Sequence, residues 1–69
     1  MTVNSLITIV GENIKRVDLY NALGQLVKSV NCGDNVVDVN VGDLQNGMYI
    51  VNVVDNNGEI MSKKVSVLL

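Results

Sequence analysis

The chain has 69 residues, of which 48% are apolar and 17% charged, with a formal net charge of -2 and two tyrosines as its aromatic residues. That length supports one domain at most, and the balance of apolar to charged residues is that of a globular rather than a disordered chain. Nucleic-acid binding, which needs a basic face and usually stacking rings, is poorly supported, since the paired cations are confined to Lys15-Arg16 and Lys63-Lys64.

Proline is absent, and β-branched runs alternate with Gly, Asn and Asp punctuation, the pattern of an all-β sandwich or barrel. Six strands are predicted, over residues 3–10, 14–20, 25–31, 35–41, 47–54 and 59–68, with no helix beyond a turn. In the second, Val17 and Leu19 point one way and Asp18 and Tyr20 the other. "NALGQ" then turns tightly, with Gly24 free to take a positive φ. The third strand has an open register, because Leu26 and Val30 compete with Val27 for the inward face. "NCGD" is expected to be a turn holding Cys32 as a small turn residue; with no basic neighbour to lower its pKa, a reactive thiol is the weaker reading. In the fourth strand Val37, Val39 and Val41 alternate with Asp38 and Asn40, a period of two that marks a core face.

"GDLQNG" forms a longer corner in which Leu44 tucks under the sheet. The fifth strand alternates Tyr49, Val51 and Val53, which places Tyr49 in the core with its hydroxyl at the rim; the rival reading makes the ring a binding platform. Met48, Ile50 and Val54 occupy its other face, so this strand is either covered on both sides or presents an apolar patch suited to docking or self-pairing. "DNNGE" predicts a hairpin with a primed turn at Asn57-Gly58 between the last two strands. Lys63 and Lys64 either meet an acidic partner or guard a sheet edge with charge.

Chemistry finds little material. Histidine is absent, so Ser-His-Asp and Cys-His arrangements cannot be built, and the commonest metal ligand is lost. The glycines fall singly at turns, in no phosphate-binding pattern. A paired-carboxylate glycosidase would want an aromatic-lined cleft, and the calcium-like Asp55, Asn57 and Glu59 stop far short of a twelve-residue loop. No catalytic residue, metal or cofactor is expected. A single cysteine excludes an internal disulfide. Apolar runs fall short of a bilayer span, no signal peptide is visible, and Met1 leads within a few residues into strand-like sequence, so the chain reads as a piece of a longer protein.

Taken together, "VDLYNALGQLV" (17–27), "VNVGDLQNGMYIVNV" (39–53) and "KKVSVL" (63–68) resemble, in order and spacing, the C-terminal sorting domains of cargo of the bacterial type IX secretion system. Asn40 stands where that pattern usually has Asp, an opening Pro-Asn-Pro segment is missing, and Leu69 replaces a frequent terminal basic residue. The resemblance implies a small Ig-like antiparallel β-sandwich of six to seven strands spanning residues 1–69, carried at the end of a larger secreted protein. It implies a non-catalytic signal read by the outer-membrane translocon, then removed by a sortase-like peptidase as the cargo reaches the surface or medium after transit through the periplasm. The matching positions are Tyr20, Gly24, Gln25, Leu44, Gly47, Tyr49, Lys63 and Lys64. A different class of function, a structural Ig-like spacer or adhesion module of a surface enzyme, predicts that the domain stays on the mature protein. Self-association through sheet edges is compatible with either.

Overall fold

A computed structural model describes residues 5–68. It contains β1 (Leu6–Tyr20), β2 (Leu26–Asn40), β3 (Gly47–Asp55) and β4 (Ile60–Val67), with no helix among the described residues. The four strands form one sheet in the order β2-β1-β3-β4, and every neighbouring pair is antiparallel. The all-β expectation holds. The expected sandwich of six to seven strands does not: the first and second predicted strands are one strand, as are the third and fourth. Residues 3 and 4 of the first predicted strand lie outside the described residues.

The reason lies in where the breaks fall. Gly11-Glu12-Asn13 and Cys32-Gly33-Asp34 each read as a turn, yet they sit at the same height on adjacent strands. The pairing passes from Val10↔Val36 to Ile14↔Asp34 to Arg16↔Asn31, shifting register on the way. Irregularity matched across a ladder bends both strands and lets pairing resume, as bulges do. Asn13 takes a positive φ of 52°, which asparagine tolerates better than most side chains. Its N–H donates to Asn35 Oδ1 at 2.9 Å and its carbonyl accepts from the Asn56 N–H at 3.0 Å. The Cys32 thiol donates to the Ile14 carbonyl at 3.3 Å, so "NCGD" is a bend within β2 rather than a turn.

Two observations measure how far the strands bend. Fifteen straight residues span about 50 Å at roughly 3.3 Å each, but the longest dimension of the molecule is 37 Å. Lys28 Nζ also donates to the carbonyl of Asn40, twelve positions further along the same strand, where a straight course would leave roughly 40 Å between their backbones. The hairpin therefore folds back on itself. Ile7, Ile9, Val37 and Val39 from its far half join Val17, Leu19, Tyr49 and Val51 in one apolar cluster.

A third bulge settles the open register of the third predicted strand. Leu19 pairs with Lys28 and Tyr20 with Leu26, leaving Val27 as the extra residue. Val30 pairs with Val17 and packs on the core, whereas Leu26 is turned to the opposite face.

The two short hairpin turns share one design. Asn21 Oδ1 accepts the N–H groups of Leu23 and Gln25, both at 3.0 Å, and the Gly24 N–H closes on the Asn21 carbonyl at 3.0 Å. Asp55 Oδ1 accepts from Asn57 and Glu59, both at 2.9 Å, and the Gly58 N–H closes on the Asp55 carbonyl at 3.1 Å. Gly24 and Gly58 each have φ of 82°, while Asn57 stays at negative φ. The primed turn expected at Asn57-Gly58 is thus replaced by a three-residue loop with glycine in the left-handed position, a form that the Asp55 carboxylate stabilises by capping two backbone donors.

Tyr49 is buried, and its hydroxyl donates to the Gln45 carbonyl at 2.6 Å, so one side chain pins the 41–46 corner to the strand that follows it. This resembles the tyrosine corner of β-sandwich proteins, and Leu44 packs against the core beside it. Replacing Tyr49 by Phe keeps the ring and deletes that bond. The expected loss is about 1 kcal/mol, seen as a lower urea midpoint with an unchanged slope; an unchanged midpoint would show that the corner holds without it.

Candidate functional site

Both faces of the sheet can be followed strand by strand from the register. The inner face carries the core. The outer face divides into rows that cross all four strands, and two adjacent rows differ sharply in character.

The first row runs Ser29–Asp18–Asn52–Ser62. Hydrogen bonds join its members in two pairs. Ser29 Oγ donates to Asp18 Oδ1 at 2.7 Å, Arg16 Nε donates to Asp18 Oδ2 at 3.0 Å, and Ser62 Oγ donates to Asn52 Oδ1 at 2.6 Å. Asp18 is buried, as a carboxylate can be when its oxygens are occupied by donors and a paired cation.

The next row runs Leu26–Tyr20–Ile50–Lys64. Leu26 is exposed, Tyr20 half-buried and Ile50 exposed, and Met48 extends the apolar surface along β3 beside Ser66. Neither the Tyr20 hydroxyl nor the Lys64 ammonium has a hydrogen-bond or ion-pair partner among the described residues. The adjoining turn projects Leu23, which is 83% exposed. The two-faced character of the fifth predicted strand is therefore resolved: Val54 is buried, while Met48 and Ile50 form an uncovered patch.

The positions matched by the sequence motifs concentrate at this end. Tyr20 lies in the apolar row. Gly24 supplies the positive φ of the adjoining turn, and Gln25 Oε1 accepts from Asn21 Nδ2 at 2.9 Å across it. Leu44, Gly47 and Tyr49 form the corner and the start of β3, with Gly47 paired to Val67. The adjacent lysines separate: Lys64 pairs with Ile50 on the outer face, and Lys63 pairs with Val51 and points to the inner side. Leu26, Ile50 and Met48 are not recognition residues by motif, although the alternation of the fifth predicted strand puts the last two on a face that is either covered or a patch. Leu26 became visible only through the bulge at Val27.

The corner is also held electrostatically. Lys28 Nζ bonds Asp43 Oδ1 at 2.8 Å as well as the Asn40 carbonyl, and the Gly42 N–H donates to Asn40 Oδ1 at 2.8 Å. The hydrogen bond from Lys28 is the main cause that holds the Asp43 carboxyl below its ordinary range. Because the folded value is the lower one, this contribution to stability is complete above the unfolded carboxylate range near about 4 and is lost as pH falls through the folded value. In a Lys28→Ala variant the Asp43 titration, followed by carboxyl-carbon NMR, is expected to move up toward the ordinary value; a midpoint that stays put would place the cause elsewhere.

Asp55, the one candidate calcium ligand with a defined role, spends Oδ1 on two backbone donors of its own turn. Among the described residues no three His, Cys, Asp or Glu side chains gather in a group able to hold a metal. Among the described residues the outer face offers a shape: an apolar row carrying the Tyr20 hydroxyl and the Lys64 ammonium, set beside a hydrogen-bonded polar row.

Neither a curated protein nor a solved structure matches the chain. A family of secretion signals does match, over residues 2–67, and its description is secretion system C-terminal sorting domain. With the motif-bearing end assembled as above and the match covering nearly the whole chain, the protein belongs to the family of C-terminal sorting domains that direct export by type IX secretion.

Proposed function

We propose that this domain acts as a folded, non-catalytic address whose readable surface is the row Leu26–Tyr20–Ile50–Lys64 with Met48. The supporting observation is the contrast between the two outer rows. A polar row that is already satisfied gives a partner little to gain, whereas exposed aliphatic and aromatic side chains next to an unpaired cation reward desolvation and attract an acidic group.

In this reading the outer-membrane translocon supplies an apolar groove bordered by a carboxylate. Tyr20 contributes a ring with an unengaged hydroxyl, Ile50 and Leu26 flank it, and Lys64 fixes orientation. The turn at 21–25 and the corner at 41–46 are tied by side-chain hydrogen bonds, so the row is presented with little further ordering on binding. A sortase-like peptidase then separates the domain from the N-terminal cargo, and the cargo passes from the periplasm to the cell surface or medium.

Fusing residues 1–69 to a periplasmic reporter in a host with type IX secretion tests this directly. Export of the reporter is expected, and Ile50→Glu is expected to cut it by roughly tenfold or more, the scale of one lost hot-spot contact. Ser62→Ala, in the hydrogen-bonded polar row, should leave export near the parent level. A folded, intact fusion retained in the periplasm, or equal export by the Ile50→Glu variant, removes the reading.

A further inference from the structure

A cavity of about 440 Å³ lies over the inner face of β3 and β4. Its floor is Val51, Val53, Met61 and Val65, and one wall is the run from Ile7 to Glu12 on β1. Consecutive residues line that wall, including Thr8 and Val10, so the cavity meets an edge of the strand rather than its face.

That edge is unpaired. β1 pairs with β3 from Ile14 to Tyr20, whereas over Leu6–Val10 its one partner among the described strands is β2. The Val41 N–H donates to the Ser5 carbonyl at 2.8 Å, and the antiparallel alternation then gives Ile7 and Ile9 the bonds to β2. Leu6, Thr8 and Val10 consequently direct their backbone N–H and C=O groups to the cavity side. Natural sheets protect such edges with charge or proline. The edge of β4 has Lys63 and Lys64 at its centre, but "LITIV" carries neither device and is rich in β-branched residues.

We propose that the Leu6–Val10 edge accepts one further β-strand, antiparallel to β1, supplied by the polypeptide on the N-terminal side of the domain. For the identity of that polypeptide, the cargo, the inference rests on the sorting assignment. The strand roofs the cavity with alternate aliphatic side chains over Val53, Met61 and Val65. Running antiparallel to β1, it starts beside Glu12, Asp55 and Glu59 at the bulge end, so a basic residue in its first positions meets three carboxylates there. It ends near Ser5, just ahead of β1, and a tethered segment therefore reaches the edge at high effective concentration.

A second copy fits poorly. A two-fold pairing of Leu6–Val10 edges brings no basic side chain to Glu12, Asp55 and Glu59, since "LITIV" holds none. A two-fold pairing of β4 edges sets lysine against lysine.

The test places Lys-Thr-Val-Thr-Val-Thr-Val, joined through Asn-Gly, ahead of Thr2, with a control extension in which the first two valines are proline. Amide exchange by NMR at Leu6, Thr8 and Val10 is expected to slow at least tenfold against the control, with a higher melting midpoint. Equal exchange in the two folded proteins overturns the proposal. The free peptide is expected to protect these amides at millimolar concentration alone; protection at micromolar concentration assigns the edge to a separate partner chain and overturns the tethered source. Concentration-dependent dimerisation of residues 1–69 that protects the same amides assigns it to a second copy, with the same consequence. In the intact precursor, deuterium exchange over residues 6–12 is expected to be slow, and exchange as fast as in residues 1–69 overturns the cargo as donor. Protected amides together with a reporter that is not exported count against the sorting surface and leave the strand site standing.

Discussion

The whole structure depends on bends placed at the same height in two adjacent strands. A 69-residue chain has few ways to enclose apolar side chains, and four straight strands in one sheet would leave both faces wet. The matched irregularity at Gly11–Asn13 and Cys32–Asp34 lets a single hairpin serve twice, pairing along its near half with β3 and turning its far half over the inner face. Lys28 closes this fold-back from outside the core, its ammonium reaching both the Asn40 carbonyl and Asp43. Disrupting the bend separates Ile7, Ile9, Val37 and Val39 from Leu19, Tyr49 and Val51, and the core is then two half-cores, each too thin to exclude water.

The same economy explains why the domain has a surface to spare. Folding back covers one face of the sheet and leaves the end of the other at Leu26, Ile50 and Met48 exposed, so that part of the outer face is free to be specified by something other than packing. The row at Asp18 is specified by internal hydrogen bonds, which satisfy a buried carboxylate. Nothing in the fold requires the neighbouring row to be apolar, since Leu26, Ile50 and Met48 stabilise no core there. An exposed apolar cluster that contributes little to its own fold is a feature best explained by what lands on it.

Much of this was legible in the sequence, and the failures have a common cause. The alternation of Val37, Val39 and Val41 gave their burial, and "GDLQNGMY" gave both the inward Tyr49 and the Leu44 beneath the corner, because each rests on local periodicity or local turn chemistry. The strand count failed because a glycine and polar cluster looks the same whether the chain reverses or merely bulges; the difference is set by the partner strand, twenty residues away. Asn57-Gly58 misled for a related reason. The dipeptide favours a primed turn in isolation, but Asp55 two positions earlier offers a carboxylate to the Asn57 and Glu59 donors and selects the looser loop. The recognition row was half visible, since β3 alone showed Met48 and Ile50 facing outward, whereas the place of Leu26 depended on a bulge that no local pattern announces.

The row Leu26–Tyr20–Ile50–Lys64 takes one residue from each of the four strands, and its members lie between positions 20 and 64 of the chain. No linear segment contains it, and an unfolded chain does not present it. A receptor that binds this row consequently binds the native state alone, and its apparent affinity scales with the native fraction. For a domain this small, with stability at the marginal end of the usual range, that coupling has a direct consequence. In the proposed reading, bonds that lie outside the row, such as Tyr49 to Gln45 and Lys28 to Asp43, still set the native fraction and with it how often the row can be bound. Under the proposed reading, folding serves as a checkpoint: a chain whose sorting domain has not closed lacks the row that the translocon would bind.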